Sequence, residues 1–187
     1  MENKMIDTLT DNIKRGKIVS FPTETVYALS CDANNSEAIN KIYETKHRNI
    51  SKLLSVFIDI DFLNNFADYD SKFANIVKDE LERGTTIIFR KKSDKILPNI
   101  KSNTIGIRYP KHDFVRSLLK RLNGLAIVAT STNISGFPPL CNYSDILNNF
   151  KNIDYVVDND LLNNSVLSGN SSKIISVVDD KIEIIRE

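Results

Sequence analysis

IVSFPTETVYALS, residues 18–30, is the stretch on which the reading of the fold turns. IVSF and VYALS each read as a short buried strand. Between them stand Pro22, Thr23, Glu24 and Thr25. Pro22 lacks an N–H and fixes its φ, so strand pairing should stop or bulge there. A structural connection needs only a two-residue turn, yet this one carries hydroxyls and a carboxylate. Polar groups at a strand end are where α/β sheets commonly place ligands, although a solvated loop explains them equally well.

The same alternation continues outward. Ile6, Leu9 and Ile13 lie at helical spacing, with Gly16 placed to end that helix. Asn35 or Ser36 can cap a helix over EAINKIYETK, and LLSVFI follows as a strand. DFLNNFA and KFANIVKDELE have helical patterns, and TTIIF, after Gly84, reads as a strand. TIGIRY alternates with period two, and DFVRSLLKRL carries a helical stripe at Phe114, Leu118 and Leu122. AIVATS is a strand, SDILNNF a short helix, and YVVD, KIISVV and KIEIIR complete the chain. Asp179-Asp180 joins the last two as a hairpin. Interleaved strands and helices without repeat or linker predict one α/β domain over residues 1–187, and the terminal hairpin predicts a mixed sheet.

Composition narrows the function. Lys and Arg number 25 against 24 Asp and Glu, a net charge of +1, which argues against a general polyanion binder. Any anion site must be built from a few placed residues. Cys31 and Cys141 imply neither a disulfide frame nor a zinc site, so a reduced, cytoplasmic protein is expected. The first residues have no secretory pattern, and no stretch approaches the ~18 apolar residues of a membrane span. GxxxxGK[ST], HExxH and GxSxG are all missing, and six scattered glycines make no phosphate-cradling loop. The basic residues Lys111, Arg116, Lys120 and Arg121 fit RNA, but a solvated helix face accounts for them better.

Beside PTET, three places resist a purely structural explanation. Lys46 continues the buried stripe of Ile39, Ile42 and Tyr43, and Arg48 stands just beyond on a helix end with no evident cap. The two cations suit an anion, or equally the negative end of the helix dipole. In TIGIRY, Thr104, Gly106 and Arg108 share one strand face, which suits a ligand's negative group, or an edge-strand Arg reaching solvent. ATSTNISG ends a strand in Thr130, Ser131, Thr132, Asn133 and Ser135, a dense hydrogen-bonding set that is also ordinary turn chemistry.

Taken in order, PTETVYAL with Cys31-Asp32-Ala33, Lys46-x-Arg48, IGIRYP, ATSTNISG and the closing IIRE resemble the YrdC/Sua5 family, typified by threonylcarbamoyl-AMP synthase. The resemblance runs from about Asp11 to Arg186 and is specific in its combination, each piece being weak alone. It implies a single YrdC-like domain without the extra C-terminal domain of the longer Sua5 type: a twisted, open, mixed sheet with flanking helices and a concave basic cleft. Lys46, Arg48, Ser131 and Asn133 match the family's functional tetrad. Thr25, Arg108 and Ser172 match positions near threonine, and Arg48, Thr104, Ser131 and Arg186 positions near ATP. The implied reaction makes L-threonylcarbamoyladenylate and pyrophosphate from ATP, L-threonine and bicarbonate. Magnesium would travel with ATP rather than on protein side chains. The product would feed the threonylcarbamoyl modification of adenosine 37 in tRNA, through a separate transferase machinery and with a possible tRNA contact.

The chain departs from the family pattern at several points. Lys52 stands for an Asn and could still meet phosphate; Phe57 stands for a threonine-side His and cannot donate a hydrogen bond. ERGTT, around Gly84, replaces a PGPxT turn, YALS replaces YGLG, and Lys173 replaces a Thr. A weakened family member, a non-catalytic module binding RNA (double-stranded RNA included) and a carbamoyl-transfer relative like the YrdC-like domain of hydrogenase maturation proteins are the alternatives.

Overall fold

The computed structural model describes residues 1–162 and 167–187. Its centre is a mixed sheet of ten strands among the described residues. In chain order these are β1 (Val19–Pro22), β2 (Tyr27–Ser30), β3 (Ser55–Phe57), β4 (Ala67–Asp68), β5 (Thr86–Lys91), β6 (Thr104–Arg108), β7 (Ile127–Ser131), β8 (Tyr155–Val156), β9 (Ile174–Val178) and β10 (Lys181–Arg186). Across the sheet they run β10-β9-β5-β6-β3-β7-β2-β1-β8, with β4 also on β5. β3 pairs β6, β5 pairs β9 and β1 pairs β8 in parallel, while the remaining pairs are antiparallel. The mixed sheet expected from the terminal hairpin is what forms.

Local chemistry sets the element ends. β1 ends at Pro22, opposite Tyr27, because a residue without an N–H cannot extend the ladder. The Asp179-Asp180 turn holds φ at 55° and 56°, the left-handed pair that a two-residue hairpin needs. α1 (Glu2–Lys14) and α4 (Asp113–Leu122) pack on each other and bury Leu9, Ile13, Leu118 and Leu122. α2 (Ser36–Thr45) is capped by the Asn35 side chain on Ala38 N at 3.0 Å. α3 (Ala74–Glu82) and α5 (Tyr143–Asn149) complete the helices. DFLNNFA forms a 3-10 helix, Ile60–Asn65, where the sequence pattern predicts a helix of unspecified type. No helix among the described residues is long and apolar enough to cross a membrane.

Candidate functional site

A cavity of about 290 Å³ lies on one face of the sheet. Its floor is a row of cross-strand partners. Ala28 pairs Ser131, and Ser55 pairs both Ala129 and Gly106. Phe57 pairs Arg108, Arg108 pairs Thr86, Thr86 pairs Ile174, and Ile174 pairs Arg186. Paired residues point to the same face, so seven strands deliver their side chains to one surface. The floor is low in the middle because Ala28, Ser55 and Ala129 are small. Gly106, beside Ser55, faces the smaller cavity next to it, and a Cβ there would lie 2.6 Å from Ser55 Oγ.

At one end of the cavity α2 delivers Lys46. The helix closes in a Schellman arrangement: His47 at φ 47°, with His47 N donating to Glu44 O and Arg48 N to Tyr43 O. The backbone thus caps the helix, and helix-end capping does not explain the two cations. Lys46 is 1% exposed, and its Nζ donates to Ser131 O, to Asn133 O at 3.1 Å and to Asn133 Oδ1 at 2.8 Å. Ser131 Oγ donates to the same Asn133 Oδ1 at 2.7 Å, and Asn133 Nδ2 reaches Phe137 O. Lys46 and Asn133 therefore lie beneath the cavity wall, and Ser131 presents that cluster to its interior. Burial, with Arg48 nearby, pushes the Lys46 ammonium down to about 7. Arg48 lines the cavity and donates to Lys52 O and Leu53 O, at 3.3 and 2.9 Å.

At the other end stands Arg108. It is 8% exposed on an interior strand, so the edge-strand explanation fails. Its Nε donates to Gly84 O at 2.9 Å, Nη1 and Nη2 each to Thr25 Oγ1 at 3.2 Å, and Nη2 to Glu24 Oε1 at 2.6 Å. The PTET segment is thereby explained: Thr23 Oγ1 ties the loop through Val26 O and Thr25 Oγ1, and Glu24 supplies the counter-charge for Arg108. Phe57 lies beside Arg108, with the guanidinium carbon 5.9 Å from the ring centroid. Ser172 lines the cavity, shares a 2.9 Å hydrogen bond with Thr86 Oγ1, and accepts from Arg186 Nε and Nη2 at its carbonyl.

Thr25, Arg48, Arg108, Ser131, Ser172 and Arg186 thus line one cavity. Thr104 does not join them: it sits at the opposite end of β6 from Arg108, facing a small neighbouring cavity that shares Leu53 and Leu54 with the main one. The Lys52 side chain is exposed and outside the cavity; its carbonyl, not its ammonium, serves the site by holding Arg48 and Tyr43. Lys173 turns to Glu80, 3.3 Å away, on a carboxylate that also accepts from Thr85. Nothing in the local sequence singles out Thr86 and Ser55, since only strand register puts them on one face with Arg108. No group of three His, Cys, Asp or Glu among the described residues could hold a metal, and Glu24 is engaged by Arg108, so the donor set does not fit a resident magnesium ion.

A family model for Sua5/YciO/YrdC proteins, described as "Telomere recombination", matches residues 11–187. The chain belongs to this family. A Methanocaldococcus jannaschii relative is 33% identical over 186 residues, 98% of this chain and 86% of the relative. A Haemophilus influenzae protein named threonylcarbamoyl-AMP synthase is 31% identical over 146 residues, 74% of this chain and 78% of that protein. The crystal structure of P. abyssi Sua5 complexed with L-threonine superposes with a TM-score of 0.82 at 28% identity, covering 94% of this chain. The chain spans about half of that Sua5 protein, 51%.

Proposed function

We propose that the protein is a threonylcarbamoyl-AMP synthase, a nucleotidyltransferase that makes L-threonylcarbamoyladenylate and pyrophosphate from ATP, L-threonine and bicarbonate. The observation that carries this reading is the single cavity joining the Lys46–Ser131–Asn133 cluster and Arg48 to the Thr25–Arg108–Ser172 end. In the reaction, bicarbonate supplies carbon dioxide with loss of hydroxide, and the amine of threonine adds to it, losing a proton. A carbamate oxygen then attacks the α-phosphorus. The new O–P bond forms as the bond to the β-phosphate oxygen breaks, and pyrophosphate leaves with that electron pair.

The residues chiefly position three anionic partners and offset their repulsion. Arg48 and Arg186 offer fork-shaped donors suited to phosphate oxygens. Ser131 presents a hydroxyl at the cavity wall, held by Asn133, and Lys46 fixes both from below. Thr25 and Ser172 present hydroxyls near Arg108, which keeps the threonine end ordered. Magnesium enters with ATP and neutralises charge on the triphosphate. The product is consumed by a separate transferase acting on adenosine 37 of tRNA, in the cytoplasm.

Pyrophosphate release from ATP tests this reading. Release should require L-threonine and bicarbonate together. Release independent of threonine, or none alongside tight tRNA binding, would overturn it.

A further inference from the structure

Two buried side-chain polar atoms have no hydrogen-bond partner among the described residues: Glu24 Oε2 and His112 Nδ1. Glu24 lies against Gly84, and so does Lys111, the chain neighbour of His112. A Cβ at Gly84 would lie 2.7 Å from Glu24 Oε1 and 3.5 Å from the backbone nitrogen of Lys111, the residue before His112. The charges acting on His112 are Glu24, Asp113 and Glu2, with Glu24 the strongest of them. The ring also packs edge-on against Phe114, centroids 6.4 Å apart. His112 precedes α4, yet its side chain does not cap that helix.

Glu24 has a task that depends on where it sits. Its Oε1 accepts from Arg108 Nη2, and Arg108 in turn holds Thr25 Oγ1 and Gly84 O. A carboxylate anchored at one oxygen alone can pivot about that bond. A second anchor at Oε2 would fix Glu24, and with it the guanidinium and the Thr25 hydroxyl. An imidazole nitrogen and a carboxylate oxygen that are both buried and not in direct contact are the partners that one bridging water satisfies.

We propose that His112 is a positioning residue for the amino-acid end of the cavity: its Nδ1 is linked through one water to Glu24 Oε2, and this link fixes the carboxylate that anchors Arg108 and Thr25. The identity of the amino acid rests on the synthase reading; the link itself depends only on residues of this chain. Burial holds the imidazole below its ordinary pKa, so the ring is neutral at neutral pH. On acidification the imidazolium competes with Arg108 for the Glu24 charge, and grip on the amino acid weakens. Asp113 and Glu2 draw on the same ring charge, but neither contacts Arg108 in the structure.

The test is a double-mutant cycle on the whole chain with Glu24→Gln, His112→Phe and the pair, plus His112→Asn, whose amide can replace Nδ1. L-Threonine and ATP affinities are read by calorimetry across pH, and the His112 imidazole titration by NMR. His112→Phe should weaken threonine about tenfold, a change equal to about 1.4 kcal/mol of coupling, and ATP less than twofold. His112→Asn should restore most of the loss. The double variant should be no worse than Glu24→Gln alone, and the acid decline in threonine affinity should vanish with His112. In Glu24→Gln the His112 titration should move further down, because a negative charge has been removed. Additive losses, or a His112 titration indifferent to Glu24→Gln, would overturn the link. If the unmodified protein bound no threonine, the synthase reading would fail, and the His112 titration alone would then decide the link for or against. That titration needs no His112 variant to fold.

Discussion

Each end of the cavity is organised around a buried cation, and the two are held in opposite ways. Arg108 faces a carboxylate, Glu24, together with a carbonyl and a hydroxyl. Lys46 faces two backbone carbonyls and an amide oxygen, and no carboxylate among the described residues pairs with it. The Arg108 charge is therefore neutralised within the protein, and its role is to hold Thr25 and the loop. The Lys46 charge is solvated by dipoles only, and Arg48 stands two residues on, so no carboxylate among the described residues offsets the positive charge at that end. Burial in one case is compensated by an ion pair. In the other it is left as a depressed pKa.

The largest effect should come from removing the uncompensated cation. Lys46→Met would leave the carbonyls of Ser131 and Asn133 without their donor and loosen the loop that bears Ser131. The cost should be about 3 kcal/mol or more, from buried acceptors at 1–3 kcal/mol each, read by urea unfolding, with turnover lost. If Lys46→Met unfolded within ~0.5 kcal/mol of the parent, the loop would be held by something other than Lys46, and the contrast between the ends would fail.

Next in size are two residues whose side chains line the cavity itself. Arg48→Ala and Ser131→Ala should each cut turnover by about 10- to 100-fold, the worth of a charge-assisted contact, with thermal midpoints nearly unchanged. Loss of folding at undiminished specific activity would give them a structural role instead.

The pH dependence separates the two ends further. Lys46 is charged below about 7 and increasingly neutral above it. ATP affinity should fall as pH rises through that value. Stability should run the other way. The unfolded chain binds the Lys46 proton up to its ordinary value of 10.5, so stability attributable to this group rises between pH 7 and 10.5 and is lost as pH falls back through 7. Lys46→Arg should flatten the affinity limb. An ATP affinity constant from pH 6 to 9 would show that Lys46 takes no part in the electrostatics of ATP binding.

The smallest effect concerns the exposed strand β10. Arg186 is exposed, held by Ser172 O, and lies just past a bulge in the β9–β10 ladder. Deleting Arg186 and Glu187 should weaken ATP binding about tenfold, the low end of 1.5–3 kcal/mol for a charged hydrogen bond, and affect threonine less. Binding within twofold of the full chain would show Arg186 to be a frayed end.

Much of the site was legible before folding, for identifiable reasons. Pro22 announced a strand end, the 3.6 period carried Lys46 onto the buried face of α2, and period two put Thr104, Gly106 and Arg108 together. Those rules are local, and they held. The resemblance puts Thr104 near the nucleotide, and Lys52, a departure from the family's Asn, offers an ammonium that could meet phosphate; neither side chain lines the main cavity. A motif fixes order along the chain but not where a loop residue points. His47 shows why: one left-handed residue redirects the chain after α2, and no pattern in KHRN announces it.

The sequence by itself determined the strands and helices, the mixed sheet, and the family, because apolar period, turn chemistry and motif order are written in neighbouring residues. Only the tertiary structure decided that Glu24 belongs to Arg108, that three acceptors enclose Lys46, and that Ser55 and Thr86 share a floor with Arg186. These facts depend on strand register and on desolvation. Both arise from contacts between segments far apart in the chain, where burial strengthens the pairing of charges and makes an unpaired one costly.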